Sequence, residues 1–526
     1  MKGAGRMAEK PDILLFMMDQ LAAKWLECGE KTGAFELPNV ERLQRMGTTF
    51  TRAYTPNPVC MPARATIATG LLGEGHRVIE NGYELSPEIP NFMKTLQQSG
   101  WRTGSFGKLH FRTYLNGPVH DYREYGFDVA ASTDDVKIGE WTDWVKEKYP
   151  QFYEAALSTA AFGNLPGLKA YGEDKTDMQK LVAAAKKKIK KNCVISGGLP
   201  IENLYTLPFP DEVSQTEWIT SKAEEFIMSA DKDVPLLINA SYVQPHDPFT
   251  PPEGCVRLVD PDRIPEPLQE TWKKDPGHPK HFDYPGICTG IPAYWREARQ
   301  YYFATIVCLD QQLGRLFDAL EKRGKLENTY IILLSDHGEQ LYDNGIVSKH
   351  NKHYDSCVRV PLMIAGPRLE KGKTCEELVQ LEDIFPTILD LTGTQGPHLR
   401  VMDNYYVSEE FMPKLAGYSL VPFCKGGRKP VREYAYVESY RYWSTVRPLH
   451  WARSIITKEY RYTYYPEGGG EQLFDLKKDP DESVNVAVSE KYAAVRSRLR
   501  DMLLDRLITK DDPKCPLGCQ FEHEHP

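Results

Sequence analysis

No stretch of this 526-residue chain holds the roughly 18 consecutive apolar residues that a membrane-crossing helix needs. The first residues, Met1-Lys2-Gly3-Ala4-Gly5-Arg6-Met7, lack the apolar core of a secretory signal. The expectation is a cytoplasmic protein with no membrane partner. A basic excess is missing too. The net charge of −8 argues against a general binder of nucleic acid or of anionic membranes, and leaves room only for a local basic patch facing an anionic substrate. Nor is there a disulfide framework: the 11 cysteines are odd in number and scattered, which fits a reducing compartment. What is present, 41% hydrophobic and 26% charged residues, excludes wholesale disorder. A chain of this length can bury a large core in about three or four domain-sized units.

Residues 12–18, 101–106, 235–243 and 329–335 read as strands, and the most apolar of them show no alternation, as in a sheet covered on both faces. In open α/β sheets, ligands gather beyond the carboxyl ends of the strands. The residues just past each run are therefore informative. After the first comes Asp19-Gln20; taken alone, Asp19 reads equally well as a cap for the next helix. After the second comes Gly107-Lys108-Leu109-His110, where Lys108 and His110 alternate in an extended segment and face one side. After the third, His246 stands between Pro245 and Pro248 and is held stiffly. After the fourth comes Asp336-His337-Gly338, a carboxylate and an imidazole suited to a divalent cation, with carboxylate oxygens best for calcium.

The stretch Cys60-Met61-Pro62-Ala63-Arg64 precedes a helix-like run, residues 65–69. Pro62 suits a helix's first turn, so Cys60 is expected at or just before a helix N-terminus. Free N–H groups and the positive end of the dipole favour an anion there, and Arg64 adds a fork of donors. A lone cysteine is usually a small buried hydrophobe. The spacing points elsewhere: the pentapeptide resembles the C-x-P-x-R signature of the type I, formylglycine-dependent sulfatases of the alkaline phosphatase-like superfamily.

The resemblance runs from Asp12 to about Ala487, with its motifs in family order. It implies an α/β fold: a large, mostly parallel sheet flanked by helices over residues 8–430, then a small C-terminal antiparallel subdomain and tail over 431–526. It implies that Cys60 is oxidised to formylglycine by a formylglycine-generating or anaerobic sulfatase-maturing enzyme. Calcium, or magnesium or manganese, is then held by Asp19, Asp336, His337 and the modified Cys60, with Gln20 a weaker ligand because many relatives have a second aspartate there. Lys108 binds a sulfate oxygen, His110 contacts the formylglycine, and His246 lies over the scissile bond. Asn81 matches an active-site asparagine of the choline-sulfatase and phosphonate-monoesterase branches, although an asparagine before Gly82 also suits a turn. A gapless match puts His350 at the usual sulfate-binding lysine; one inserted residue puts Lys349 there, and a permanent charge favours Lys349. In the implied mechanism one hydroxyl of the aldehyde hydrate attacks sulfur, and the second later expels sulfate.

The substrate expected is a small organic sulfate, with a carbohydrate sulfate, glycosaminoglycan-derived ones included, preferred over aryl or choline sulfates. A proline-rich segment, 251–292, and the tyrosine-rich residues 460–465 are candidate walls of a sugar pocket. Lys186-Lys187-Lys188-Ile189-Lys190-Lys191 is ordinarily a solvated helix face, and more sharply a contact for a sulfated polymer. Cys515, Cys519, His523 and His525 lack a standard zinc spacing and read as a frayed tail. A homo-oligomer is compatible with the chain. The competing readings are a phosphonate monoester or phosphodiester hydrolase using the same site, and a sulfate-binding protein with unconverted Cys60.

Overall fold

The computed structural model of the protein describes residues 9–509, apart from 115–116, 118–119, 161–164, 192, 196–203, 276–289, 350–351, 397, 404–405, 412–414 and 441–450. His350 and the Cys/His tail therefore lie outside the described residues. Among those described, the strands of the central sheet are, in chain order, β1 (Asp12–Asp19), β2 (Gly47–Phe50), β3 (Arg102–Gly107) and β4 (Val129–Ser132). They continue with β5 (Leu236–Pro245), β6 (Thr329–Ser335), β7 (Leu362–Ala365) and β8 (Lys373–Cys375). They lie side by side in the order β8-β2-β7-β6-β1-β5-β3-β4. Every pairing is parallel except the two that β7 makes. This is the mostly parallel α/β sheet that the apolar runs imply.

The lack of alternation in β1 has a direct cause. Leu14, Phe16 and Met18 enter one apolar layer, while Ile13, Leu15 and Met17 enter the other. The helices Gln215–Ser229 and Trp295–Arg323 cover the first face, the latter through Leu309, Leu313, Leu316 and Leu320. Helices Cys60–Thr69, Phe92–Gln98 and Ile384–Thr392 cover the second. Each buried leucine contributes roughly 2 kcal/mol of transfer free energy. Beyond β2 the chain breaks from the sheet: Thr51 turns to donate its N–H to the Cys375 carbonyl, and Ala53–Tyr54 pairs separately with Val379–Gln380.

The C-terminal strands Ala435–Ser439, Ala452–Ile456, Tyr460–Tyr465 and Gly470–Asp475 form an antiparallel meander under the helix Ala493–Thr509. Tyr462 and Tyr465 are buried in its packing, so these tyrosines serve the core and not the wall of a sugar pocket. His353 ties this meander to the body, with Nδ1 2.8 Å from Ser454 Oγ and Nε2 2.9 Å from Ser439 Oγ. The described part of the proline-rich segment is pinned. Trp272 is buried and donates Nε1–H to the Asn344 carbonyl at 2.7 Å, and Cys255, Val259 and Ile264 are buried as well.

Candidate active site

β6, β1, β5 and β3 are consecutive neighbours, and their carboxyl ends carry the four strand-end motifs. Asp19 is the last residue of β1, Lys108 follows β3, His246 follows β5 and Asp336 follows β6. Two glycines let these ends close together. Gly107 has φ +99°, and a Cβ there would lie 1.9 Å from the Ser241 carbonyl oxygen; instead the Lys108 N–H donates to that oxygen at 2.8 Å. A Cβ on Gly338 would lie 2.1 Å from the Ser356 carbonyl oxygen. Gln20 and His110 adopt φ +65° and +55°, a left-handed backbone that non-glycine residues rarely hold outside functional sites.

Cys60 opens the helix Cys60–Thr69, all of whose residues are buried. The Asn81 Oδ1 accepts the Met61 N–H at 3.0 Å and so satisfies one donor of the first turn. The Cys60 sulfur lies 2.9 Å from Lys349 Nζ, 3.1 Å from His337 Nε2 and 3.8 Å from Asp19 Oδ1. Burial opposes its thiolate, but Lys108, Lys349, His337 and a hydrogen bond from His110 outweigh it and hold the thiol well below its usual range. Lys349, the residue that the gapped match selects, is 5% exposed and lies against this sulfur.

Asp336 is pinned on both oxygens. Oδ1 accepts the backbone N–H of Gln20 at 3.1 Å and of His337 at 2.9 Å, and Oδ2 accepts Arg64 Nε–H at 2.8 Å. Burial works against its charge, yet His337 and Arg64 hold its pKa low. Asp19 is pushed up, first by burial and then by Asp336 and Cys60, with Lys108 Nζ at 2.5 Å opposing. Arg64 donates to the Lys108 carbonyl at 2.6 Å and to Ser241 Oγ at 3.0 Å, so it holds the site together from behind. Ligand atoms of Asp19, Cys60, Asp336 and His337 lie within 4.8 Å of one another. The Gln20 Nε2 donates to Glu339 Oε2 at 2.5 Å and Asp247 Oδ1 at 3.2 Å, which leaves its Oε1 buried without a hydrogen-bond partner. Two crowded carboxylates, an orphaned amide oxygen and an imidazole are a donor set for a hard divalent cation.

A third wall adds Asp134, Asp135 and Tyr114, none of which the sequence singles out. Lys108 Nζ lies 2.6 Å from Asp135 Oδ1 and 3.5 Å from Asp134 Oδ1, and Tyr114 OH donates to Asp134 Oδ1 at 2.5 Å. The His110 ring stacks on Tyr114 with centroids 4.6 Å apart. His246 Nε2 is 3.9 Å from Asp135 Oδ2, and Nδ1 is 3.5 Å from Asp247 Oδ1. Burial and Lys349 disfavour its protonation, but Asp135, Asp247 and Asp19 prevail and push His246 up to about 10. Asp134 and Asp135 follow β4 as the other site residues follow their strands. The Val-Ala-Ala-Ser of β4 is too short and weakly apolar to announce a strand. Glu339 and Asp247 lie inside motifs whose neighbours alone draw attention.

Comparison with known proteins identifies the family. The model of the sulfatase family matches residues 11–394, and that of the N-sulphoglucosamine sulphohydrolase C-terminal region matches residues 345–509. An arylsulfatase of Clostridium perfringens is 27% identical over 525 residues, covering 96% of this chain and 95% of that protein. A choline-sulfatase of Rhizobium meliloti is 29% identical over 517 residues, covering 94% and 86%. Among solved structures, the phosphonate monoester hydrolase of Agrobacterium radiobacter superposes with a TM-score of 0.73 at 23% identity, covering 95% of this chain and 96% of that one.

Proposed function

The chain belongs to the sulfatase family and is a sulfuric ester hydrolase, and on that premise we propose that it releases sulfate from a carbohydrate sulfate ester, using formylglycine made from Cys60 and a divalent cation, calcium foremost. The observation that carries the proposal is the enclosure of the Cys60 sulfur by Lys349, His337 and Asp19 at 2.9, 3.1 and 3.8 Å. That sulfur stands in for the oxygen of the hydrated aldehyde. Asp19, Asp336, Gln20 Oε1 and His337 would hold the cation, which when bound supplies a Lewis acid beside that oxygen.

The remaining roles belong to the chain's own groups. Lys108 and Lys349, both buried ammonium groups with raised pKa, neutralise charge on the sulfuryl oxygens. His246, held protonated, gives its proton to the leaving alcohol. His110, whose Nδ1 is buried without a partner, sits against the Cys60 atom and can take a proton from it. Arg64 orients Asp336 and the Lys108 backbone. Asn81 caps the cysteine's helix with its side-chain oxygen, and its amide is assigned to the substrate.

A carbohydrate leaving group is supported by the C-terminal match to an N-sulphoglucosamine sulphohydrolase model and by the carboxylate-rich wall of Asp134, Asp135 and Asp247, whose oxygens accept hydroxyl protons. Oxidation of Cys60 requires a sulfatase-maturing enzyme as partner. No helix of the described residues is long and apolar enough to cross a membrane; a cytoplasmic location belongs to the proposal. The test is sulfate release from a panel of sulfated mono- and disaccharides, aryl sulfates, choline sulfate and a phosphonate monoester, with mass spectrometry at Cys60. Highest kcat/KM on a sugar sulfate, with the aldehyde present, is expected. An active enzyme with an unmodified thiol would refute the chemistry, and a preference for the phosphonate would favour the reading that the Asp19-Gln20 pair also permits.

A further inference from the structure

Beside the third wall lies a cation that the reaction does not use. Lys137 is 4% exposed, and among the described residues its ammonium makes no hydrogen bond or ion pair. It cannot swing away, because its neighbours Val136 and Ile138 are buried in an apolar cluster with Leu157, Met178 and Val182. The loop is fastened further by Gln215 Nε2, which donates to Thr133 Oγ1 at 2.6 Å and to the Asp134 carbonyl at 3.1 Å. Lys137 itself sits at φ +62°, a conformation that a lysine adopts at a cost.

Its surroundings are positive. Burial and the charge of Lys191 push the Lys137 pKa down to about 8, Asp135 pulls the other way, and Lys186 adds to the lowering. Asp135 does not serve as its counter-ion, since that carboxylate is engaged by Lys108 at 2.6 Å. Lys191 is fixed by donating to the Ser158 carbonyl at 2.6 Å and lies 4.4 Å over the Tyr205 ring. The helix Met178–Lys188 does present Lys187 and Lys188 to solvent, the latter paired with Glu154, as a solvated face should. Lys186, exposed on the same helix, and Lys191 both add positive charge around Lys137.

An ammonium without a counter-ion, at the tip of a side chain that is otherwise enclosed, is a ready partner for an anion. Lys137 stands two residues after Asp135, whose carboxylate reaches both Lys108 and His246. We propose that Lys137, flanked by Lys186 and Lys191, is a subsite for a second anionic group, a carboxylate or a further sulfate, carried on the leaving-group part of the substrate. The proposal rests on the sulfatase reading above and narrows its substrates to those with at least two negative charges.

The experiment measures kcat/KM of the matured enzyme on three aryl monosulfates: one otherwise neutral, one bearing a carboxylate, and one bearing a second sulfate group. Wild type is expected to prefer one of the doubly charged compounds, and that compound identifies the anion. Lys137→Met should lower the ratio of charged to neutral kcat/KM about tenfold, the loss of one charge-assisted hydrogen bond, and Lys137→Arg should recover most of it. Lys186→Gln, on a side chain at the subsite's edge, should lower the same ratio about twofold to threefold and serves if the Met variant does not fold. The melting temperature of Lys137→Met should stay close to that of wild type, because the substitution breaks no hydrogen bond or ion pair and keeps the apolar stem. An unchanged ratio in these variants, or a lowered melting temperature with an unchanged ratio, overturns the subsite. Because the probes are aryl sulfates, failure of wild type on every sugar sulfate would sink the carbohydrate reading and leave this ratio to decide the subsite.

Discussion

Replacing Asp135 by asparagine should move the basic limb of the pH–rate profile downward. Asp135, Asp247 and Asp19 push His246 up to about 10, so at neutral pH it holds the proton that the proposed mechanism gives to the leaving alcohol. Activity that depends on the protonated form is present below that value and is lost as pH rises through it. Asp135 Oδ2 lies 3.9 Å from His246 Nε2. Two unit charges about 4 Å apart interact by about 4 kcal/mol at an effective dielectric constant of about 20, equivalent to roughly three pH units. Asp135 also faces Lys108 Nζ at 2.6 Å, and Asp247 still supports the imidazolium at 3.5 Å, so only part of that effect disappears. The expected fall is about one to two pH units, which brings the limb to roughly pH 8–9. The measurement is kcat/KM against pH, because that parameter reports the free enzyme. An alkyl sulfate, whose alcohol must be protonated, should show the displaced limb; a nitrophenyl sulfate, whose phenolate leaves unaided, should not. If the folded variant shows the wild-type limb on the alkyl sulfate, Asp135 does not hold the proton on His246, and the assignment of His246 as the acid falls with it.

Lys349→Ala should lower kcat about 10²- to 10³-fold on every sulfate ester, since it removes one preorganised donor from the sulfuryl oxygens; an effect confined to KM would contradict that role. Calcium at about 100 times its dissociation constant should stabilise the fold by about 2.7 kcal/mol, seen as a higher melting temperature. Asp19→Asn should remove most of that response, and a full response in the variant would place the ion elsewhere. Gly338→Ala should destabilise by about 2 kcal/mol or more in denaturant titration, because the new Cβ would meet the Ser356 carbonyl at 2.1 Å; a neutral result would mean that the Asp336-His337 turn yields easily.

The central sheet is readable in the sequence because its strands are buried on both faces and therefore leave uninterrupted apolar runs, as in Ile13 to Met18 and Thr329 to Leu334. Such runs end abruptly, so the polar residue after each one is conspicuous; Asp19 and Asp336 stand out that way, Lys108 through its alternation with His110, and His246 through the prolines around it. Cys60 stands out through Pro62 and Arg64, whose spacing has a local reason at a helix start. Asp134 and Asp135 do not, because β4 is an edge strand of four small residues, without the apolar run that marks the others. The tyrosines of 460–465 mislead because alternation tells which residues share a face, not whether that face meets solvent or a helix. The anchoring of the proline-rich segment depends on Trp272 reaching Asn344, seventy-two positions away in the chain, which no local pattern encodes.

Cys60 has no exposed surface, and every residue of its helix is enclosed. A second protein cannot grip a side chain that has been sealed behind a finished sheet. On the proposed chemistry, its oxidation to an aldehyde would therefore come before residues near Asp336 and Lys349 have closed over it, when that segment is still an accessible peptide. The order of two events, modification and then closure, is written into where the cysteine ends up.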